Sequence, residues 1–182
     1  MLGIFFTAAA AFAATNVDDL FVLMLLFGQA QSGADRRRIT AGQYVGVALL
    51  TAVSLAGAWG LGRIPAQYLR LLGLVPIALG IRAWLQRGGP DETAGSALSV
   101  FAVAALTVSG GGDNIGVYLP MFTGMNGSEQ GITLLVFALL CGLWCLLGSR
   151  LAALPAAEKT ITRHKGWLVP LVFLLIGLSI LL

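Results

Sequence analysis

Residues 14–21 read ATNVDDLF and residues 109–116 read SGGGDNIG, each in the middle of a long apolar run. They supply Asp18, Asp19 and Asp113, the three of eight acidic residues that fall inside such runs, with Asn16 and Asn114 beside them and Thr15 and Ser109 close by. An Asp at the centre of a membrane-length segment costs ~3 kcal/mol or more on insertion scales, so something must offset it. Carboxylate and amide oxygens are hard ligands, and two or three carboxylates converging in a dry site would neutralise a divalent cation. An Asp released from the cation could instead carry a proton. The competing reading is that polar side chains hold the helices together by hydrogen bonds. Two acid-amide clusters in matching contexts favour a site for a cation.

The elements that must position these groups follow from composition. Of 182 residues 58% are hydrophobic and 10% charged, against about 25% charged in soluble domains. This is the composition of an all-α membrane protein. The net charge of +3 comes from basic residues scattered between apolar segments, where membrane topology explains them and a nucleic-acid partner is not implied. No linker divides the chain, which reads as one integral membrane domain over 1–182. The N-terminal MLGIFFTAAAAFAA ends in small residues like a signal peptide, but it lacks a basic flank and its apolar run continues to Phe27. It reads as a retained span.

Six stretches are long enough to cross ~30 Å of hydrocarbon: residues 2–28, 40–62, 67–86, 96–124, 130–149 and 166–182. The first and fourth are overlong and carry acid at their middles, so each is expected to be tilted or interrupted there. Gly110, Gly111, Gly112 and Pro120 disfavour a helix beside Asp113, and carbonyls freed by unwinding would add ligands. The first span has no such glycines and is expected to stay closer to helical. Nine of the eleven basic residues (Arg36, Arg37, Arg38, Arg82, Arg87, Arg150, Lys159, Arg163, Lys165) lie in or border the loops after the first, third and fifth spans, and only Arg63 and Arg70 lie on the other face. The positive-inside rule then puts those three loops in the cytoplasm and both termini outside.

The halves are related. TNVDDLFVLMLLF at 15–27 aligns with GGGDNIGVYLPMF at 110–122, placing Asp18 on Asp113 and Asp19 on Asn114, and LVPIALGI at 74–81 aligns with LVPLVFLL at 168–175. Two repeats, 1–90 and 91–182, each of three spans, must cross the membrane in opposite senses. Inverted repeats recur in secondary transporters, with the substrate near midplane where discontinuous helices meet. Asp18, which pairs with Asp113, is the better direct ligand, and Asp19 the better proton carrier or outer partner.

Other candidates carry less. Cys141 and Cys145, four apart on the fifth span, could offer thiolates to a soft metal, but small apolar packing is the simpler role. Met24 and Met121 read as core, and His164 as solvated surface. No GxxxxGK[ST] or GxGxxG context exists, so nothing indicates ATP hydrolysis or a bound cofactor.

At ATNVDDLFVLMLLF and SGGGDNIGVYLPMF the chain resembles the CadD-type cadmium resistance transporters of the LysE superfamily, over nearly its whole length in span count and spacing. The resemblance implies a protein of the bacterial inner membrane that exports Cd²⁺, and with it Zn²⁺, without being an enzyme. It also implies a metal site at Asn16, Asp18, Asp19, Asp113 and Asn114. Its partners are then the cation and the lipid bilayer, with a homodimer compatible. Three rivals remain at this stage. Gly110, Gly111, Gly112 and Asp113 satisfy the GxGD pattern of intramembrane aspartyl proteases, although a dyad sharing a proton needs only one acid per side. A LysE-like amino-acid exporter would need a buried basic partner for the carboxylate, and none is evident. A membrane thiol-disulfide carrier would need one cysteine in each half, whereas both lie in the fifth span.

Overall fold

The computed structural model describes residues 2–60 and 98–155, together with 74, 77, 78, 81, 84, 171, 174, 175 and 178. Apart from those single positions, the expected third and sixth spans and the LVPIALGI and LVPLVFLL match lie outside the described residues. So do His164, Arg63, Arg70, Arg82, Arg87, Lys159, Arg163 and Lys165. Six helices are defined among the described residues, with no strand: α1 (Leu2–Thr15), α2 (Val17–Gln29), α3 (Gly33–Ala58), α4 (Val100–Gly110), α5 (Gly112–Thr123) and α6 (Gly127–Ala152). Helices α3 and α6 are each long and apolar enough to cross a membrane, and α1 with α2 and α4 with α5 make two bent pairs, of 59° and 69°, each with the length and composition of a broken span or a re-entrant hairpin.

The two straight spans begin alike. Ser32 Oγ accepts from the Asp35 N–H at 3.1 Å and the Asp35 carboxylate accepts from the Ser32 N–H at 3.0 Å. Asn126 and Glu129 repeat this reciprocal capping ahead of α6, at 3.1 and 2.9 Å. Each box satisfies donors that a helix start leaves unpaired. Both helices therefore begin earlier than their apolar runs at 40 and 130 suggest, and Arg36, Arg37 and Arg38 lie in the first turns of α3 rather than in a loop. Both helices are 26 residues long and start 94 positions apart.

Packing crosses between the halves of the sequence. Helix α3 lies chiefly against α4 and α5, while α6 lies against α2 and α1. Glycines permit the first approach: a Cβ at Gly42 would sit 2.5 Å from Val103 Cβ, and one at Gly46 2.5 Å from Thr107 Cβ. Small residues at a helix crossing let backbones approach closely, which is the main source of attraction where lipid is as apolar as the side chains. On the other side Gly148 of α6 meets Leu23 of α2. Leu23, Leu26, Phe27, Ile39, Leu98, Val103, Leu106 and Cys145 form one apolar core, and Phe12, Val47, Tyr118, Phe122, Phe137 and Cys141 belong to a second. Met24 and Met121 pack against these cores, as expected of them.

The surface is apolar and the polar groups are inside. Leu49, Leu135, Leu139 and Leu146 stand exposed along α3 and α6, while Asn16, Gln43, Ser54, Thr107, Ser109, Asn114 and Thr133 are buried. That inversion suits a chain whose solvent is lipid, where polar side chains must find partners within the protein. The described residues are all-helical and have the makeup of a multi-pass membrane protein.

Candidate functional site

The two breaks are built differently. At the first, Asn16 has φ −118° and ψ 16° between α1 and α2. Its N–H still donates to Phe12 O at 3.0 Å, and its side-chain Nδ2 donates to the same carbonyl at 2.9 Å. Its own carbonyl, left without a helical donor by the bend, accepts from Trp144 Nε1 of α6. At the second break only Gly111 departs from helix. A Cβ there would press on the Leu50 side chain of α3, so the glycine lets Leu50 lie directly against the break. Both interruptions fall at mid-length of their spans, as expected. The first span does stay closer to helical than the second, bending by 59° against 69° and keeping the Asn16 N–H on Phe12 O, yet it is interrupted without a glycine because an asparagine side chain and a tryptophan donor take over the groups that the bend frees. The expected stretch of free carbonyls is corrected. Gly110 and Gly112 are helical, and Gly111 O accepts from the Ile115 N–H at 3.3 Å.

Asn16, fully buried, is the centre of a polar cluster that joins the breaks. Its Nδ2 donates to Tyr118 Oη at 2.8 Å and to Thr15 Oγ1 at 2.9 Å. Thr15 Oγ1 and Tyr118 Oη share a further hydrogen bond of 2.9 Å. Asn114 joins with its amide oxygen accepting from Asn16 Nδ2 at 3.2 Å and from Tyr118 Oη at 3.1 Å, while its nitrogen donates to Thr15 O at 3.2 Å and Asp113 Oδ1 at 3.1 Å. The two asparagines are thus brought together, and their first task is to fasten α5 to the end of α1.

The three acids sit in the first turns that follow the breaks: Asp18 and Asp19 in α2, Asp113 in α5. A helix N-terminus favours negative charge there. They lie within Coulombic reach of one another, although Asp18 and Asp113 are exposed and Asp19 is half-buried. Adjacent positions on a helix point about 100° apart, which sends Asp18 away from Asp19. Asp113 Oδ1 also accepts from the Asn114 N–H at 2.9 Å. Asp19 is held instead: Gln43 Nε2 of α3 donates to its Oδ2 at 2.7 Å, and Thr107 of α4 donates to Gln43 Oε1 at 2.7 Å. That relay fixes the amide so that its N–H groups face the carboxylate. Among the described residues no three His, Cys, Asp or Glu side chains are already gathered as a closed ligand set.

Sequence reasoning missed Gln43, Thr107, Tyr118 and Trp144. Gln43 had a signal, being a lone amide in the apolar run of a span, and Tyr118 lies four residues after Asn114, on the same helix face. Thr107 and Trp144 had none, since their partners are far away in sequence.

A family model described as cadmium resistance transporter matches residues 12–182. No curated relative and no solved structure matches the chain.

Proposed function

Because the chain belongs to the family of cadmium resistance transporters, which is a family of transporters and not of enzymes, we propose that it carries out secondary-active efflux of Cd²⁺, and with it Zn²⁺, across the bacterial inner membrane. The observation that carries this reading is the placing of Asp18, Asp19 and Asp113 in mutual Coulombic reach, each in the first turn after a break in a span. Three like charges at that depth repel unless a cation or protons join them. In this reading Asp18 and Asp113, exposed, bind the cation directly. Asp19, held by Gln43, serves as proton carrier or outer partner. Asn16 and Asn114 fasten the two bends and complete the site. Energy comes from an ion gradient or the membrane potential. The test is growth of a metal-sensitive bacterial strain expressing the chain across Cd²⁺, Zn²⁺ and Mn²⁺. Resistance to Cd²⁺ is expected, and unchanged sensitivity to all three would end the proposal.

The same reading makes the chain one domain of two inverted three-helix repeats, 1–90 and 91–182, with both termini outside. Equivalent contacts support it. With α3 and α6 offset by 94 and the bent spans by 95, the contact of Leu50 with Gly111 corresponds to that of Trp144 with Asn16. In the same way the Thr107 and Gln43 hydrogen bond corresponds to the ring contact of Phe12 with Phe137. Inversion predicts that Gln31→Cys and Ser128→Cys, at the exposed starts of α3 and α6, are labelled by an impermeant thiol reagent from opposite sides of the membrane, Gln31 from the cytoplasm. Labelling of both from one side would exclude inversion.

A further inference from the structure

Carboxylates and amides leave one property of the proposed export unexplained, because oxygen ligands favour hard ions over soft ones. Cys141 and Cys145 are free, buried, and one turn apart on α6, where their thiols interact with each other. Two neighbouring helices bring polar atoms to them. The Asp19 carboxylate of α2 lies within Coulombic reach of both sulfurs, and the Thr40 hydroxyl of α3 reaches Cys145. Cys141 also lines a half-open cavity of about 290 Å³ between α3 and α6, beside Tyr44 and Thr51. Packing alone does not call for sulfur here. At the offset of 94 that relates α3 to α6 the equivalent positions are Val47 and Thr51, both equally buried.

Resting on the efflux reading above, we propose that Cys141 and Cys145 form a dithiol station for a soft divalent cation beside Asp19, and that this pair selects soft cations over hard ones. Each thiol gives up its proton to water as its sulfur–metal bond forms, so one M²⁺ replaces two protons and the pair remains neutral. Neutrality matters at this depth, because burying net charge is far costlier than burying a neutral complex. The pair fills two of the four positions that a thiophilic ion takes in a closed protein site. No third His, Cys, Asp or Glu among the described residues closes the shell. An open shell suits a cargo that must leave again.

The experiment uses the full chain in detergent or nanodiscs, titrated with CdCl₂ and separately with MnCl₂. It compares wild type, Cys141→Ala/Cys145→Ala and Asp113→Asn, each checked for helicity and monodispersity. Wild type and Asp113→Asn should both develop the ultraviolet charge-transfer band of a cadmium–thiolate bond, and the double variant should not. The double variant should also lose roughly tenfold or more in Cd²⁺ affinity with Mn²⁺ binding unchanged. Absence of the band in wild type, its persistence in the double variant, or an equal loss for Mn²⁺ would overturn the station. Failure of the efflux reading shows separately, as unchanged sensitivity to Cd²⁺, Zn²⁺ and Mn²⁺ in cells expressing the wild-type chain. Should the double variant misfold, Cys141→Ser/Cys145→Ser gives the same readout.

Discussion

Asp113→Asn is expected to give a folded, inserted protein that confers no more metal resistance than an empty vector. The carboxylate is exposed, its recorded bonds are to its neighbour Asn114, and an amide oxygen can still accept from the Asn114 N–H. The loss to the fold is confined to a charge at a helix N-terminus, about 0.3–1 kcal/mol, and removing a charge at membrane depth recovers ~3 kcal/mol of insertion cost. Stability and function should therefore move in opposite directions. Expression, monodispersity and melting temperature in detergent report the first, and growth on cadmium the second. A folded variant with full resistance would remove Asp113 from the proposed ligands.

Asn16→Ala is expected to do the reverse and damage the fold itself. The side chain is fully buried and bonds to Phe12 O, Thr15, Tyr118 and Asn114. Interhelical hydrogen bonds in membranes average ~0.6 kcal/mol each, with single cases near 1.7. Losing two across the spans and the local ones at the bend should thus cost on the order of 2 kcal/mol. The expected signs are a lower melting temperature and reduced yield. Tyr118→Phe, which removes the shared hydroxyl and leaves every proposed cation ligand in place, should lower the melting temperature in the same direction. If Asn16→Ala melts like wild type and loses only metal binding, Asn16 is a ligand and the fastening role given to it here is wrong.

The legible part of this molecule was what local chemistry dictates. Apolar runs of span length, acid at the middle of the first and fourth, and the aligned Asp18 and Asp113 were all readable. Both breaks fall beside those acids, at Asn16 and Gly111. The cause of the first break was not readable, because no glycine marks it and its stabilising donor, Trp144, lies on another span. The triple glycine promised more unwinding than occurs, since only at Gly111 does the lack of a side chain make room for a neighbour, Leu50. The inward turn of Asp19 and outward turn of Asp18 follow from helix geometry, but which acid meets Gln43 depends on how α2 sits against α3. The starts of α3 and α6 were encoded in Ser32 with Asp35 and Asn126 with Glu129, a pattern that hydropathy alone passes over.

The bond from Trp144 to the Asn16 carbonyl joins groups 128 residues apart in the chain. During synthesis the first bend emerges long before the tryptophan that completes it. Until α6 enters the membrane, the carbonyl exposed at that bend has no indole to meet, and α2 lacks the surface against which it packs. Helices α1 and α2 therefore cannot mature by themselves, and α4 and α5 likewise rest on α3. Assembly must wait for α6, and in that interval the half-made protein depends on lipid, water or the insertion machinery to shelter a polar break at membrane depth.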